Sequence, residues 1–320
     1  MTKKERVIST IEGRKADAIP SCFSLHFPKN KSFGEAGIKS HLDFFNDSDS
    51  DICKIMNENL VPPIGCTESV KDYVTKVKPF NKNTGFIKEQ IEFAKRILDN
   101  STSDRFHVGT LHTICASSIH PLEMSGMPYT HVREILVSMF REDPKGMKGT
   151  MQLITDGMCE LAQAYIQMGL DGVYIASLGA EKRYYTDEEF AEFVAPYDIQ
   201  IMKAVKEAGG YNFLHMCKDG LDLSRYLPYM PYTDVVNWGI YEAPLSLKDG
   251  IALFKGKTVL GGLPNRTGVL VDGSEEEIRS AVREVIKEAG DTPLILGADC
   301  TLATEQDINK LKIAIDEARR

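Results

Sequence analysis

Gly172-Val173-Tyr174-Ile175-Ala176-Ser177, then Thr186-Asp187-Glu188-Glu189, then Gly209-Gly210, and finally Asn212-Phe213-Leu214-His215-Met216-Cys217 decide the fold. The first and last runs are apolar, rich in β-branched or aromatic residues, and as short as buried strands. Thr186 with Glu189 three residues on is a capping box, in which each side chain satisfies the other's backbone N–H, so a helix starts there. The pattern predicts a helical stretch with a break at Pro196, running to about Ala208, where two glycines stop it. Strand, helix and strand at this spacing make a βαβ unit, whose two strands run parallel.

The same alternation extends outward in both directions. Eight candidate strands fall at 18–26, 51–57, 107–114, 172–177, 212–217, 234–238, 258–263 and 293–299, with helical patterns between most of them. Ser274 opens one such helix, with Glu275, Glu276 and Glu277 in the first turn where the helix dipole favours them, and it runs to Gly290. Residues 1–11 mix Lys3, Lys4, Glu5 and Arg6 with Val7, Ile8 and Ile11 and predict a short amphipathic helix. Residues 57–80 and 125–130 read as loops over the mouth. Eight strand-helix units without a linker or a composition shift predict an α/β fold, a single (β/α)₈ TIM barrel over residues 1–320 with an N-terminal helical extension.

Composition narrows the function. The 320 residues carry 46 acidic against 38 basic side chains, a formal charge of −8, with no Lys/Arg-rich block, which disfavours nucleic acid as a partner. No apolar stretch reads as a membrane span, and the first residues lack the features of a secretory signal. Seven scattered cysteines, at 22, 53, 66, 115, 159, 217 and 300, do not form a disulfide framework, so the sequence predicts a cytoplasmic protein. Cys53, Cys115 and Cys159 read as buried apolar filler.

His215 and Cys217 differ from those three. Residues i and i+2 of a strand point to one side, so the pair presents an imidazole nitrogen and a sulfur toward one point, and Cys300 ends the last candidate strand. A (β/α)₈ barrel gathers its chemistry at the carboxyl ends of its strands, and the eighth strand closes on the first, so all three can meet at one rim. Two sulfurs and one nitrogen suit Zn²⁺, and three protein ligands leave a fourth position open. A histidine at a strand end is by itself more often a hydrogen-bonded structural residue; the two cysteines distinguish this one. Near the same rim the reading places His26, Asn57, Glu58, His112, Ser177, Asn237 and Asn265. His26 and His112 are candidates to orient substrate or ligands, and Glu242, after the sixth strand, is a candidate labile fourth ligand. Asn57, Ser177 and Trp238 are candidates to line a cofactor pocket, although for Trp238 packing at its strand end is the favoured role.

The run 12–20, the strand 51–57, the helix 189–197, the strand end 213–217 and the run 296–305 together resemble the uroporphyrinogen decarboxylase superfamily. Within it, His-x-Cys followed far downstream by Cys is similar to the zinc-dependent corrinoid methyltransferases of the methylcobamide:coenzyme M kind. That resemblance implies a methyltransferase with Zn²⁺ on His215, Cys217 and Cys300, moving a methyl group between a corrinoid (cobalamin), carried by a separate corrinoid protein, and a small-molecule thiol or related acceptor. The decarboxylase branch is implied less well. Its arginine-rich first loop corresponds here to His26-Phe27-Pro28-Lys29-Asn30-Lys31, and lysines are poor replacements for bidentate arginines. A metal-free decarboxylase of a tetrapyrrole polycarboxylate, and a non-catalytic corrinoid- or metal-binding barrel, are the alternatives.

Overall fold

The computed structural model describes every residue except Asp219 and Pro244. In chain order its first half comprises α1 (Lys3–Ile11), β1 (Ser21–Cys22), α2 (Gly34–Ser48), β2 (Ile52–Ile55), α3 (Val70–Lys76), α4 (Gly85–Asn100), β3 (Phe106–His112), α5 (Ile114–Glu123), α6 (Tyr129–Glu142) and α7 (Pro144–Gln167). The second half comprises β4 (Gly172–Ser177), α8 (Asp187–Phe193), α9 (Ala195–Glu207), β5 (Tyr211–Met216), β6 (Val235–Trp238), α10 (Leu247–Leu253), β7 (Thr258–Leu263), α11 (Glu275–Ala289), β8 (Leu294–Ala298) and α12 (Ile308–Ala318). The break expected at Pro196 falls at Val194, between α8 and α9, with Pro196 in the first turn of α9, and the capping boxes at Thr186 and Ser274 are both formed. Between β5 and β6 the chain takes a 3₁₀ path over Leu223–Tyr232, where Pro228 and Pro231 deny an α-helix its hydrogen bonds.

All eight strands are parallel, in the order β1-β8-β7-β6-β5-β4-β3-β2. At the seam between the ends of this series, β1 and β2, Asp51 makes the principal link. Asp51 donates its N–H to Ser21 O at 3.2 Å, and its fully buried carboxylate accepts from Ser21 N (3.0 Å), Ser21 Oγ (2.8 Å) and Arg319 (3.0 Å), with Arg6 of α1 as a further partner.

Strand alternation divides the apolar residues into two layers. Cys22, Ile52, Phe106, Val108, Tyr174, Phe213, Val235, Leu260 and Ile295 fill the barrel interior, and Val7, Ile8 and Ile11 of α1 plug its amino end. Their neighbours, such as Val173, Ile175, Leu214, Leu294 and Leu296, pack outward against the helices. With the amino end plugged, the carboxyl end is left for chemistry.

The first strand is much shorter than the 18–26 expected. Its ladder with β8 pairs Ser21 with Leu296 and Cys22 with Gly297, and resumes only where Leu25 bridges Leu302. From Cys22 to Leu25 one chain advances three residues, while from Gly297 to Leu302 the other advances five. The two surplus residues make a bulge in the chain beyond β8, and Cys300 sits in it. None of the described helices is long and apolar enough to cross a membrane.

Candidate metal centre

Phe213 points into the barrel, so the alternation of β5 also turns His215 and Cys217 inward, at its carboxyl end. Cys300 reaches them from the bulge: Ala298 packs with the outer layer, and strict alternation would send Cys300 outward as well. One ligand atom from each of the three residues lies within 4.8 Å of the others, and the two Sγ atoms are 3.8 Å apart. That exceeds a disulfide bond length of about 2.05 Å by far.

His215 is 3% exposed, and its ring lies 5.3 Å from that of Tyr174, tilted by 30°. Neither of its nitrogens makes a hydrogen bond of regular geometry, with the Cys300 sulfur near enough to interact, and among the described residues no other buried histidine has both nitrogens in that state. His41, equally buried, shows the ordinary alternative: Nδ1 meets Gly37 O at 2.7 Å, and Nε2 accepts from Met56 N at 3.1 Å. Two unpaired polar atoms on one buried ring are costly unless something outside the protein atoms takes one of them.

Charge is arranged around the sulfurs. The thiols of Cys217 and Cys300 are paired with each other, which holds the Cys300 thiol well below the usual thiol range and pushes that of Cys217 up. Lys54, the one charged residue of β2, is 5% exposed; its Nζ lies over the Tyr174 ring and 3.3 Å from Ser24 Oγ. Burial lowers its pKa, opposed by Cys300, Cys22 and Cys217, so a cation stands within electrostatic reach of both site thiols. Tyr174 in turn donates its hydroxyl to Asn237 Oδ1 at 2.8 Å, and Asn237 Nδ2 donates to Leu260 O and Ala298 O, tying β4, β6, β7 and β8 together beneath the site. Asp299 accepts from Tyr241 N through Oδ2 at 3.0 Å, and burial raises its pKa to about 7.

The other residues singled out in the sequence lie around this cluster. Glu242 is exposed in the loop after β6, turned back over Gly239 and within electrostatic reach of Cys217. His26 is half exposed and its Nδ1 meets Glu58 Oε1 at 3.1 Å. His112 ends β3 with its ring perpendicular to that of His120, 5.0 Å away, and burial lowers its pKa to about 4. Ser177 Oγ meets Tyr226 Oη at 3.1 Å, Asn57 Oδ1 accepts from Asn59 N at 3.0 Å, and Asn265 Nδ2 donates to Thr301 O at 3.2 Å. Trp238 is 1% exposed; its Nε1 donates to Leu245 O and its ring packs against Phe254 and Gly250, in the outer layer between β6 and α10. Sequence reasoning passed over Lys54 and Tyr174. The signal was present: a lysine in the apolar run Ile52-Cys53-Lys54-Ile55 has to be buried, and buried lysines are rare without a purpose.

Comparison with known proteins agrees with this architecture. A methyltransferase from Methanosarcina mazei superposes with a TM-score of 0.74 at 15% identity, covering 99% of this chain and 98% of that one. A B12-independent methionine synthase from Shewanella sp. W3-18-1, in complex with selenomethionine, gives 0.57 at 12% identity over 94% and 97%. An endo-1,4-β-mannanase from Rhizomucor miehei gives 0.56 at 11% identity over 94% of both chains, so likeness at this level speaks for the barrel alone. Comparison with curated proteins gave no match. The family model of uroporphyrinogen decarboxylase (URO-D) matches residues 70–320, from α3 to the last residue and with all three donors inside it. The chain belongs to the uroporphyrinogen decarboxylase (URO-D) family.

Proposed function

We propose that the chain is a zinc-dependent methyltransferase that moves a methyl group between a corrinoid, carried on a separate corrinoid protein, and a thiol or related small acceptor. The observation that carries the metal part is the geometry of the donors. Two thiolates at about 2.3 Å from one tetrahedral zinc stand about 3.8 Å apart, and the sulfurs of Cys217 and Cys300 are separated by 3.8 Å. The unpaired nitrogens of His215 supply the third donor, leaving a fourth position for an exogenous group.

Zinc bound there would supply a Lewis acid that keeps a thiol, ordinarily of pKa about 8.5, in its nucleophilic thiolate form at neutral pH. The chain's own residues would do the rest. His215, Cys217 and Cys300 hold the ion at the mouth, and Tyr174 packs beside the imidazole. Lys54 offsets the negative charge that a third thiolate would add to two cysteinates. Glu242, on the neighbouring loop and within electrostatic reach of Cys217, would be the carboxylate available to the fourth position in the absence of the acceptor.

The corrinoid part rests on the sequence resemblance, and methyl transfer as a reaction class is supported by the fold shared with the Methanosarcina methyltransferase. A decarboxylase of a polycarboxylate is favoured by the family name alone. The loop 26–31 carries two lysines and no arginine to hold several carboxylates.

X-ray absorption at the zinc edge tests the reading. Protein purified without chelator should show two sulfur neighbours, rising to three when the acceptor thiol is added, while methylcobalamin is demethylated. Protein that neither contains nor takes up zinc, or a sulfur count unchanged by every thiol tested, would overturn it.

A further inference from the structure

A second cavity, of about 250 Å³, opens at the same end of the barrel on the side of β3, β4 and β5. It is lined by His112, the last residue of β3; by Leu178, just beyond β4; by Lys218, directly after Cys217; and by His120, Glu123 and Tyr129 from α5 and α6. It therefore adjoins the candidate metal centre through the backbone of one of its donors.

Three independent observations mark it as a place for a ligand. His120, 7% exposed, keeps Nδ1 without a hydrogen-bond partner, and the hydroxyl of Tyr129 is buried and unpartnered as well. Buried polar atoms left unpaired are costly, a cost that a polar ligand would recover. Lys218 has φ of 90°, one of two non-glycine residues with positive φ among those described, and strain of this kind concentrates at functional sites. Finally, the polar lining is balanced in charge. Glu123 and Lys218 are its one carboxylate and one ammonium, close enough to interact, and burial keeps both imidazoles neutral near pH 7.

We propose that this cavity is the recognition subsite of the acceptor and that it takes a short thiol bearing both a carboxylate and an ammonium, the former paired with Lys218 and the latter with Glu123. The inference rests on the metal-held thiolate proposed above. A purely anionic thiol would meet Glu123 without a compensating ammonium, and a purely cationic one would meet Lys218 in the same way.

Calorimetry on the zinc-loaded protein decides it, with L-homocysteine, 2-mercaptoethanesulfonate and cysteamine as probes. L-Homocysteine should bind on the order of tenfold tighter than either of the others. Glu123→Gln should narrow its advantage over 2-mercaptoethanesulfonate, and Lys218→Gln its advantage over cysteamine. A parallel series without sulfur, L-2-aminobutyrate against butyrate and propylamine, reads the subsite independently of the metal. Preference for L-2-aminobutyrate, lost in Glu123→Gln, would keep the subsite even if no thiol reached the zinc and the functional reading fell. Equal or tighter binding of the singly charged probes, or a preference that neither variant alters, would overturn the subsite.

Discussion

Lys54 Nζ lies 3.7 Å from the centroid of the Tyr174 ring, and both residues line the same small space inside the barrel mouth as Cys300. The ring face recovers part of the hydration that the ammonium loses on burial, by a cation–π contact. No carboxylate pairs with Lys54 at salt-bridge distance among the described residues, so the charge stands near the thiols at a cost to the fold.

Lys54→Met should therefore separate stability from function. Replacing a buried charge by an apolar side chain of similar volume is neutral or stabilising, by about 1 kcal/mol or more. Urea unfolding should shift to higher denaturant. The zinc-loaded variant should at the same time bind thiols more weakly, because the negative charge of an added thiolate loses its counter-ion. A destabilised variant with unchanged thiol affinity would make Lys54 a structural residue.

Cys217→Ala and Cys300→Ala should each abolish binding of about one equivalent of zinc while the barrel unfolds at nearly its original temperature, since a site at the mouth is not part of the core. Metal analysis alongside circular dichroism checks both halves. Retention of zinc by either variant would remove that cysteine from the donor set.

The parts of this molecule that follow local rules were legible in the sequence. The strand at 172–177 and the strand at 258–263 fall where expected, because their apolar runs are bounded by turns and backed by capped helices. His215 and Cys217 could be paired because β-strand alternation is itself a local rule. Cys300 was paired with them only by its place at a strand end. Its inward position depends on the two-residue bulge against Leu25, a mismatch between two chain segments far apart in sequence, which no pattern within either segment encodes. The cavity walled by His112, His120, Glu123, Tyr129 and Lys218 was illegible for the same reason, since it is made by strand ends and helices that meet only in the barrel.

Gly250→Ala tests the placement of Trp238. A Cβ at position 250 would stand 2.0 Å from Cζ2 of the indole, so the ring or α10 has to move. Overpacking of this kind costs about 1–3 kcal/mol. The variant should lose that much in thermal or urea unfolding yet keep its zinc, since the indole lies outside the barrel wall. Impaired handling of methylcobalamin by a variant of unchanged stability would instead point to Trp238 as a corrin wall.

Asp198 of α9 gives the fold a pH dependence of its own. Its carboxylate is fully buried and accepts from Ile114 N, at the start of α5, at 3.0 Å and from Tyr229 Oη at 3.0 Å. Burial outweighs both hydrogen bonds and raises its pKa from 3.8 to about 7. The folded state thus holds this proton more tightly than the unfolded chain does, so the contribution is complete below about pH 4 and is lost as pH rises through 7. Asp198→Asn keeps an acceptor for Ile114 N and removes the titration. Denaturation midpoints measured from pH 4 to 8 should fall less steeply in the variant than in the parent, with an upper bound on the difference of roughly 4 kcal/mol. Parallel profiles for the two proteins would show that Asp198 does not change its protonation across this range.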